Sequence, residues 1–402
     1  MKRYNRMYQK PRIFAKKDTI SILFSEELFL IFDYEGRLFL VFDKGRVFRR
    51  SFDNVILSSN TLNQEDRYFL NSDKANEILR YYTRLAREVL EKGNYYIHSQ
   101  YVETNLVKRV IEIIQEMDEK KLEEDGMRFR SIFKPITILP PENYLSLYIP
   151  ITQGCSYNRC SFCNLYRDRS FRIKSESEVK TELEKIVDFF GSSLLTRRGI
   201  FIGEGNVFVE KTKDIIEKIE FIKNFLRGNR YITFDLNDAF YGFMDTFHTR
   251  KSIEELEGLK NVGVRKVYIG LESGSDYILS NFLLKPSTSS DVVKTVNNVK
   301  KVGMSVGVIV IVGVGGRNYR EEHFKKTMEV ISQMDVSLGD SIYLSPIVEY
   351  QNLEYKSIAS KIGIDSMTRE EIEEETNRFR NAIIGVKMTK VPVYKVDKFL
   401  YS

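Results

Sequence analysis

Between residues 145 and 348 the sequence alternates between short apolar runs and segments with helical spacing of apolar residues. The run 305–312 is rich in β-branched residues and shows no polar alternation, which is typical of a strand buried on both faces. Strands joined by helices build a parallel sheet. We therefore predict an α/β fold in which six strands and five helices form a six-unit partial barrel over residues 141–348.

The predicted strands cover residues 145–151, 199–202, 231–234, 266–271, 305–312 and 341–344, and the predicted helices cover 175–190, 214–226, 252–259, 291–300 and 321–334. Polar and glycine-rich loops follow four of the strands, at 203–206, 235–238, 272–275 and 313–316. Each loop alone fits an ordinary turn, since Gly, Asn, Asp and Ser favour turns. Ligands of parallel sheets bind where the carboxyl ends of the strands meet, so the loops together predict a ligand site.

All three cysteines, Cys155, Cys160 and Cys163, lie within nine residues directly after the first predicted strand. Thiolate sulfur suits iron–sulfur clusters, zinc and copper(I), so the loop predicts a metal centre. A disulfide framework fits poorly, because three is an odd number and the closed loops would be short.

Structural zinc needs a fourth ligand. The candidate histidines are His98, His248 and His323, and none stands at knuckle spacing from the cysteines. A 4Fe–4S cluster held by three thiolates leaves one iron open to a ligand, whereas an electron-transfer ferredoxin site normally uses four cysteines. These residues are compatible with a zinc ion and with an iron–sulfur cluster, and the cluster fits them better.

The cysteine loop resembles that of the radical S-adenosylmethionine (SAM) superfamily. It has two residues between the last two cysteines and an aromatic, Phe162, before the final one. The superfamily usually has three residues between the first two cysteines, and this chain has four, as in an uncharacterised branch. The resemblance implies a TIM-like partial barrel, a 4Fe–4S cluster on Cys155, Cys160 and Cys163, and reductive cleavage of SAM to a 5′-deoxyadenosyl radical that attacks a substrate.

Cofactor contacts are implied at the end of the second strand. Gly203 and Glu204 are similar to the superfamily's Gly-Gly-Glu motif, although Ile202 replaces its first glycine. In that motif a carboxylate contacts the amino group of the methionine part of SAM. In this chain the contact would come from Glu204 or from the neighbouring Asn206.

Further contacts are implied at the fourth and fifth strands, where the sequence is similar to Elongator-type and methylthiotransferase-type members. Glu272 and Ser273 would lie near the ribose, although they also fit the N-cap region of the next helix. Val312 and Gly313 would lie near adenine, and they fit a core strand equally well.

Five further residues are candidates beside these. Phe162 would pack over the cluster or the adenine. Lys285 would pair with a carboxylate, or it is an ordinary surface lysine. Arg167, Arg169 and Arg172 would line the substrate, although a solvated pair with Asp168 explains each of them better. No catalytic residue is assigned.

Outside this core we expect an N-terminal α+β domain of unknown role at residues 1–140 and a short C-terminal extension at 349–402. The first contains predicted strands at 28–32, 37–42 and 46–50 and helices at 75–90 and 103–116. The second contains a predicted helix at 369–381 and a strand at 391–396, expected to cover the open side or the mouth of the barrel.

The composition narrows the functional classes. No uncharged apolar run reaches the ~20 residues that span a bilayer, and residues 1–4 lack the apolar core of a signal peptide. We therefore expect a cytoplasmic protein that is not associated with a membrane. The 62 basic residues are interspersed with 56 acidic ones, which is typical of a solvated surface, although the basic run 46–50 leaves RNA open.

The leading hypothesis is thus a radical SAM enzyme acting on a small molecule or RNA, with an electron donor such as ferredoxin or flavodoxin. The alternatives are an RNA- or tRNA-modifying member of that superfamily and a nucleic-acid-associated protein whose cysteine loop holds structural zinc.

Overall fold

The computed structural model describes residues 10–62, 66–99, 102–248, 250–348 and 354–402. The expectation drawn from residues 1–4 lies outside these ranges, as does the predicted boundary at residue 349. No helix in the described ranges is long and apolar enough to cross a membrane.

The described residues between 10 and 132 form one eight-stranded sheet and three helices. The strands are β1 (Arg12–Ala15), β2 (Ile20–Leu23), β3 (Leu28–Phe32), β4 (Leu38–Asp43), β5 (Arg46–Arg50), β6 (Ile56–Asn60), β7 (Arg67–Phe69) and β8 (Tyr96–Ser99). The helices are α1 (Ser72–Glu91), α2 (Thr104–Glu116) and α3 (Glu119–Ile132). Strands β1 to β7 form an antiparallel meander, and β8 joins its end parallel to β1.

The predicted strands at 28–32, 37–42 and 46–50 are confirmed as β3, β4 and β5. Lys44 and Gly45 both have positive φ in the turn between β4 and β5, the conformation that suits a two-residue hairpin. Helix α2 buries Val107, Val110 and Ile114, whose spacing gives one apolar face against the domain core.

The second sheet has six parallel strands in chain order. They are β9 (Leu147–Tyr148), β12 (Ile200–Phe201), β13 (Phe240–Phe243), β14 (Val264–Glu272), β15 (Ser305–Val312) and β16 (Ser341–Pro346). A two-stranded ribbon, β10 (Thr152–Gln153) and β11 (Arg172–Ile173), lies between β9 and β12. Within the described residues the edges β9 and β16 do not pair, so the sheet is open, as in a partial barrel.

Helices alternate with these strands: α4 (Glu176–Phe190), α5 (Thr212–Leu226), α6 (Ile253–Val262), the short α7 (Asp276–Asn281), α8 (Ser289–Lys301) and α9 (Arg320–Ser332). The α/β prediction is therefore confirmed, and the five predicted helices all form. Ser175 begins α4 with a capping box that it shares with Glu178, a pattern that satisfies free N–H groups at the helix start.

The predicted strand at 231–234 is wrong. Residues 229–238 form turns, in which Asn229 and Asp235 accept backbone hydrogen bonds from residues two positions on, and the strand begins later, at Phe240. These Asx turns compete with strand formation, which an apolar run alone does not reveal. The loop 235–238 therefore precedes the third strand and does not join the other polar loops at the carboxyl edge.

The C-terminal segment lies along the open side of the sheet. After α10 (Glu354–Ile362) and α11 (Arg369–Val386), the predicted strand at 391–396 forms only an isolated bridge between Val393 and Leu344 of β16. The Tyr401 hydroxyl then donates to the Ser146 carbonyl at 2.8 Å and accepts from the Tyr148 amide at 3.2 Å, beside β9. The tail thus contacts both unpaired edges.

Candidate functional site

The cysteine loop leaves the sheet after β9 and returns through the ribbon of β10 and β11. Gly154 opens the loop with φ +75°, and a Cβ at this position would lie 3.0 Å from the Ser170 carbonyl oxygen. Glycine is required here for both reasons, since other residues avoid positive φ.

The three thiols are half-buried and lie close enough to influence one another. Burial is the largest cause that raises the pKa of Cys160 to about 12, with Lys285 opposing it and Cys163 and Glu272 adding to it. Burial likewise raises the pKa of Cys163 to about 11. Without metal the Cys160 and Cys163 thiols stay protonated at neutral pH, so metal binding must displace their protons.

Among the described residues no group of three or more His, Cys, Asp or Glu side chains could hold a metal ion. A zinc ion needs donors about 2.0–2.3 Å from a single centre, whereas each cysteine of a cubane binds a different iron. A closed zinc site would need a fourth donor beyond the three thiolates.

The cysteine loop is braced by the segment that follows α7. The Ser161 amide donates to the Leu283 carbonyl at 3.0 Å, and the Tyr157 hydroxyl donates to the Leu284 carbonyl at 2.6 Å. Phe162 packs against a small apolar cluster that includes Phe282 and Leu283. Phe162 therefore fixes the loop to the protein body, and a contact with cluster or adenine stays a prediction.

Two of the three arginines after the loop hold it in place. Arg167 donates to the carbonyls of Cys160 and Cys163, at 3.0 and 3.3 Å. Arg169 pairs with Asp168 at 2.9 Å, as expected, and also with Glu204 at 2.7 Å. The Arg169 side chain is only 1% exposed, so this second pair is buried.

The loop after β12 is bound directly to the cysteine loop. Glu204 accepts from the Gly154 amide as well as from Arg169, and the Gly205 amide donates to the Gly154 carbonyl at 3.1 Å. A Cβ at Gly205 would lie 2.7 Å from the Cys155 Cβ. This loop and the first cysteine are therefore in van der Waals contact.

Two buried polar atoms beside this loop lack partners in the described part of the chain. Asn206 is buried, and its Oδ1 accepts from the Phe208 amide while its Nδ2 has no hydrogen bond. Thr152 Oγ1 is likewise unpaired and lies 3.3 Å from the Cβ position of Gly203. An unpaired buried polar group costs about 1–3 kcal/mol, so the pair fits a site that a polar ligand completes.

Glu272, at the end of β14, is held in an unusual backbone conformation. Its φ is +62°, next to an irregularity in the pairing with β15. Lys285 Nζ lies 3.1 Å from the Glu272 carboxylate and also donates to the Gly270 carbonyl. Positive φ in a non-glycine residue costs about 1–3 kcal/mol and is concentrated at functional sites. Lys285 is thus buried in a pair beside the cysteines and is not a surface lysine.

Three other predicted residues, Ser273, Val312 and Gly313, are constrained by contacts within the protein. The Ser273 hydroxyl donates to His323 Nδ1 at 2.8 Å, and the Val312 carbonyl accepts from the Ile347 amide at 2.9 Å. Gly313 has φ +92°, and a Cβ there would lie 3.2 Å from Ile347. Their roles toward ribose and adenine stay predictions.

His323 makes stability depend on pH. It is fully buried between Ser273 and the Ile311 carbonyl, and burial lowers its pKa to about 4. Below pH 6.5 the unfolded chain binds a proton at this residue while the folded chain does not, so stability is lost as the pH falls toward 4. We expect about 3 kcal/mol of pH-dependent stability from this group.

Chemical denaturation between pH 7 and 4 measures that contribution. His323→Gln is expected to show a shallower loss of unfolding free energy than the unchanged protein, whereas the exposed His98→Gln keeps the full slope. Equal slopes in all three proteins contradict the assignment.

The sequence prediction missed the segment after the third strand, because it placed that strand too early. Behind β13, the His248 ring lies 2.7 Å from Asp245 and 3.3 Å from the Ser156 hydroxyl of the cysteine loop. The alternating run 240–243, followed by polar residues, was the sequence pattern that could have located them.

Comparison with known proteins agrees with this geometry. The model of the Radical SAM superfamily matches residues 149–331, which contain the cysteine loop and the loops after β12 and β14. No curated protein matches the chain by sequence.

Similar solved structures include coproporphyrinogen III oxidase from Escherichia coli, which is 12% identical over 67% of this chain and 57% of that chain, with a TM-score of 0.44. SuiB from Streptococcus suis bound to S-adenosylmethionine is 12% identical over 87% and 72%, with a TM-score of 0.43. A spore photoproduct lyase mutant with dinucleoside spore photoproduct is 14% identical over 77% and 93%, with a TM-score of 0.44. This chain spans less than two thirds of the length of the first of these.

The superfamily model covers the cysteine loop and four of the six strands of the parallel sheet, β12 to β15. Its match includes the loop that is in contact with Cys155 and the pair formed by Glu272 and Lys285. Residues 149–331 therefore form a domain of the radical SAM superfamily.

Proposed function

We propose that the protein is an enzyme that cleaves SAM reductively at a 4Fe–4S cluster held by Cys155, Cys160 and Cys163, and that the resulting radical attacks a separate substrate. The observation that carries this proposal is the junction of the cysteine loop with the loop after β12. When bound, the cluster and SAM supply one-electron cleavage of the sulfonium, which is the superfamily's general reaction.

The donor set of the loop fits such a cluster. Three thiols on one braced loop provide soft ligands, and burial on the protein side limits access of water. With three ligands for four irons, one iron is left to SAM. This is the physical reason that three cysteines suffice.

Residues around the loop are suited to hold the methionine part of SAM. Glu204 offers a buried carboxylate for an ammonium group, and Arg169 fixes its orientation. The unpaired Asn206 Nδ2 is a donor that a SAM carboxylate or ribose oxygen would satisfy. Glu272, oriented by Lys285, offers an acceptor for ribose hydroxyls.

The same chemistry bears on the electron donor of the cluster and on the cellular location of the protein. Cluster reduction requires a one-electron donor, and we propose ferredoxin or flavodoxin for this role. Free thiols and clusters persist in reducing compartments, which supports a cytoplasmic location. The similarity to Elongator-type and methylthiotransferase-type cores rests on the sequence around Glu272.

Release of 5′-deoxyadenosine tests the proposal. The anaerobically reconstituted, reduced protein is expected to form 5′-deoxyadenosine from SAM. The Cys160→Ala variant is expected to form it at least ~100-fold more slowly, because one cluster ligand is gone. Asn164→Ala, an exposed position one residue beyond the loop, is expected to retain it. Equal release from the Cys160→Ala protein would refute the assignment.

A further inference from the structure

A groove of about 1050 Å³ lies beside the open side of the parallel sheet. One wall is the face of β5 to β7, the other is α11, and the tail closes the bottom with Tyr394. The groove extends to Pro346 and Ile347 at the carboxyl end of β16. Ile347 is hydrogen-bonded to Val312, so the groove reaches the edge of the sheet where the cofactor loops lie.

The lining of this groove is strongly basic. It contains six cationic side chains and two acidic ones, whereas the whole chain has 62 and 56. The cationic residues are Arg49, Arg67, Arg369, Arg380, Lys395 and Lys398. One of the two acids, Asp397, is already paired with Lys398 at 3.1 Å. Positive charge is therefore concentrated here and not merely interspersed.

Arg49 and Arg67 form a like-charged pair inside the groove. Burial is the main cause that lowers the Arg49 pKa, and the Arg67 charge adds to it. Both arginines lie beside Tyr144, whose pKa burial raises to about 12 although the two charges oppose that shift. Two half-buried guanidinium groups repel one another unless an anion lies between them.

Arg49 has no counter-ion in the described part of the chain. Its side chain forms no hydrogen bond or ion pair there, while the Arg67 side chain donates only to the Lys398 carbonyl, at 3.1 Å. Arg380, on the facing helix α11, also has no partner among those residues. Arginine forks suit phosphate oxygens, and several unpaired forks on facing walls suit a ligand with more than one phosphate oxygen to bind.

We propose that this groove binds the phosphate groups of a phosphate-ester substrate, either a small organophosphate or an RNA backbone. The groove volume of about 1050 Å³ lies just above the usual ~300–1000 Å³ of small-molecule sites, which allows a ligand of nucleotide size or larger. That this ligand is the substrate depends on the proposed function, because the groove reaches Ile347, which is hydrogen-bonded to Val312, a residue predicted to lie near the adenine of SAM. Phosphate binding itself does not depend on it.

Binding of two probes to the reconstituted holoprotein tests the proposal. Inorganic pyrophosphate is titrated by calorimetry, and a fluorescein-labelled oligouridylate by anisotropy. At least one is expected to bind and to weaken as salt rises. Pyrophosphate alone indicates a small organophosphate, and the oligonucleotide with little pyrophosphate binding indicates RNA. If neither probe binds, the proposal is overturned.

Matched arginine variants locate the binding. Arg49→Gln and Arg380→Gln are each expected to weaken binding about 10-fold or more, the effect of one lost charged hydrogen bond. Arg46→Gln is the control, since Arg46 lies on the same strand as Arg49 but pairs with Asp66 at 2.6 Å and does not line the groove. Unchanged binding in both groove variants contradicts the proposal.

Two further measurements separate the possible causes. Arg49→Gln is expected to keep the unfolding temperature, because it removes an uncompensated charge. A clear decrease in that temperature together with lost binding assigns Arg49 a structural role and overturns the proposal. Cys160→Ala, which loses SAM cleavage, is expected to bind the probe normally, so failure of phosphate binding and failure of the proposed function are distinguishable.

Discussion

Replacing Arg169 by methionine is expected to lower the free energy of unfolding by about 3 kcal/mol. Arg169 and Glu204 form a pair whose side chains are 1% and 5% exposed, so removing the guanidinium leaves a buried carboxylate without its counter-ion. Breaking one half of a buried pair costs far more than the pair contributes in total. Denaturant titration of the cluster-free protein measures the change.

Two companions make this result specific. Arg172→Met removes a neighbouring arginine whose pair with Glu178 is exposed, so little change is expected. The double variant Arg169→Met with Glu204→Gln is expected to regain part of the stability, because Gln carries no charge and still accepts from the Gly154 amide. If the double variant is no more stable than Arg169→Met alone, charge burial is not the cause.

Gly205→Ala is expected to prevent proper assembly of the cluster. The added Cβ would lie 2.7 Å from the Cys155 Cβ and 3.2 Å from its sulfur, so the cysteine loop must shift. Such overpacking costs about 1–3 kcal/mol. If the shift opposes cluster binding by that amount, affinity for the cluster falls about 10- to 100-fold. Iron and sulfide per chain after reconstitution measure it.

Gly385→Ala is the matched control. Gly385 lies on α11 with open space around its Cβ position, and alanine is favoured over glycine in helices. This variant is therefore expected to take up iron as the unchanged protein does. A Gly205→Ala protein with full iron content would show that the contact with Cys155 does not constrain the cluster.

Much of the core could be predicted because its patterns are local. The run 305–312 forms β15 over those same residues, since a long β-branched run has few alternatives to a buried strand. The segment 231–234 was predicted wrongly because its apolar run competes with Asx turns at Asn229 and Asp235. Hydrogen bonds of this kind are short-range, but an apolar pattern does not contain them.

The contacts within the site were less predictable. Arg169 was expected to be in a solvated pair with Asp168, and that pair does form, but Glu204, 35 residues away, pairs with the same side chain at 2.7 Å. The unpaired Asn206 Nδ2 and the positive φ of Glu272 are properties of the packed fold. Such features arise when separate strand ends are brought together, and no single segment specifies them.

The proposed activity requires that three sulfurs leave one iron of a cubane open to SAM. Electron paramagnetic resonance of the reduced, reconstituted protein with and without SAM tests it most directly, together with metal analysis. We expect about four irons per chain and a spectrum that changes when SAM is added. A colourless protein with one zinc per chain, or an iron spectrum that SAM leaves unchanged, would contradict it.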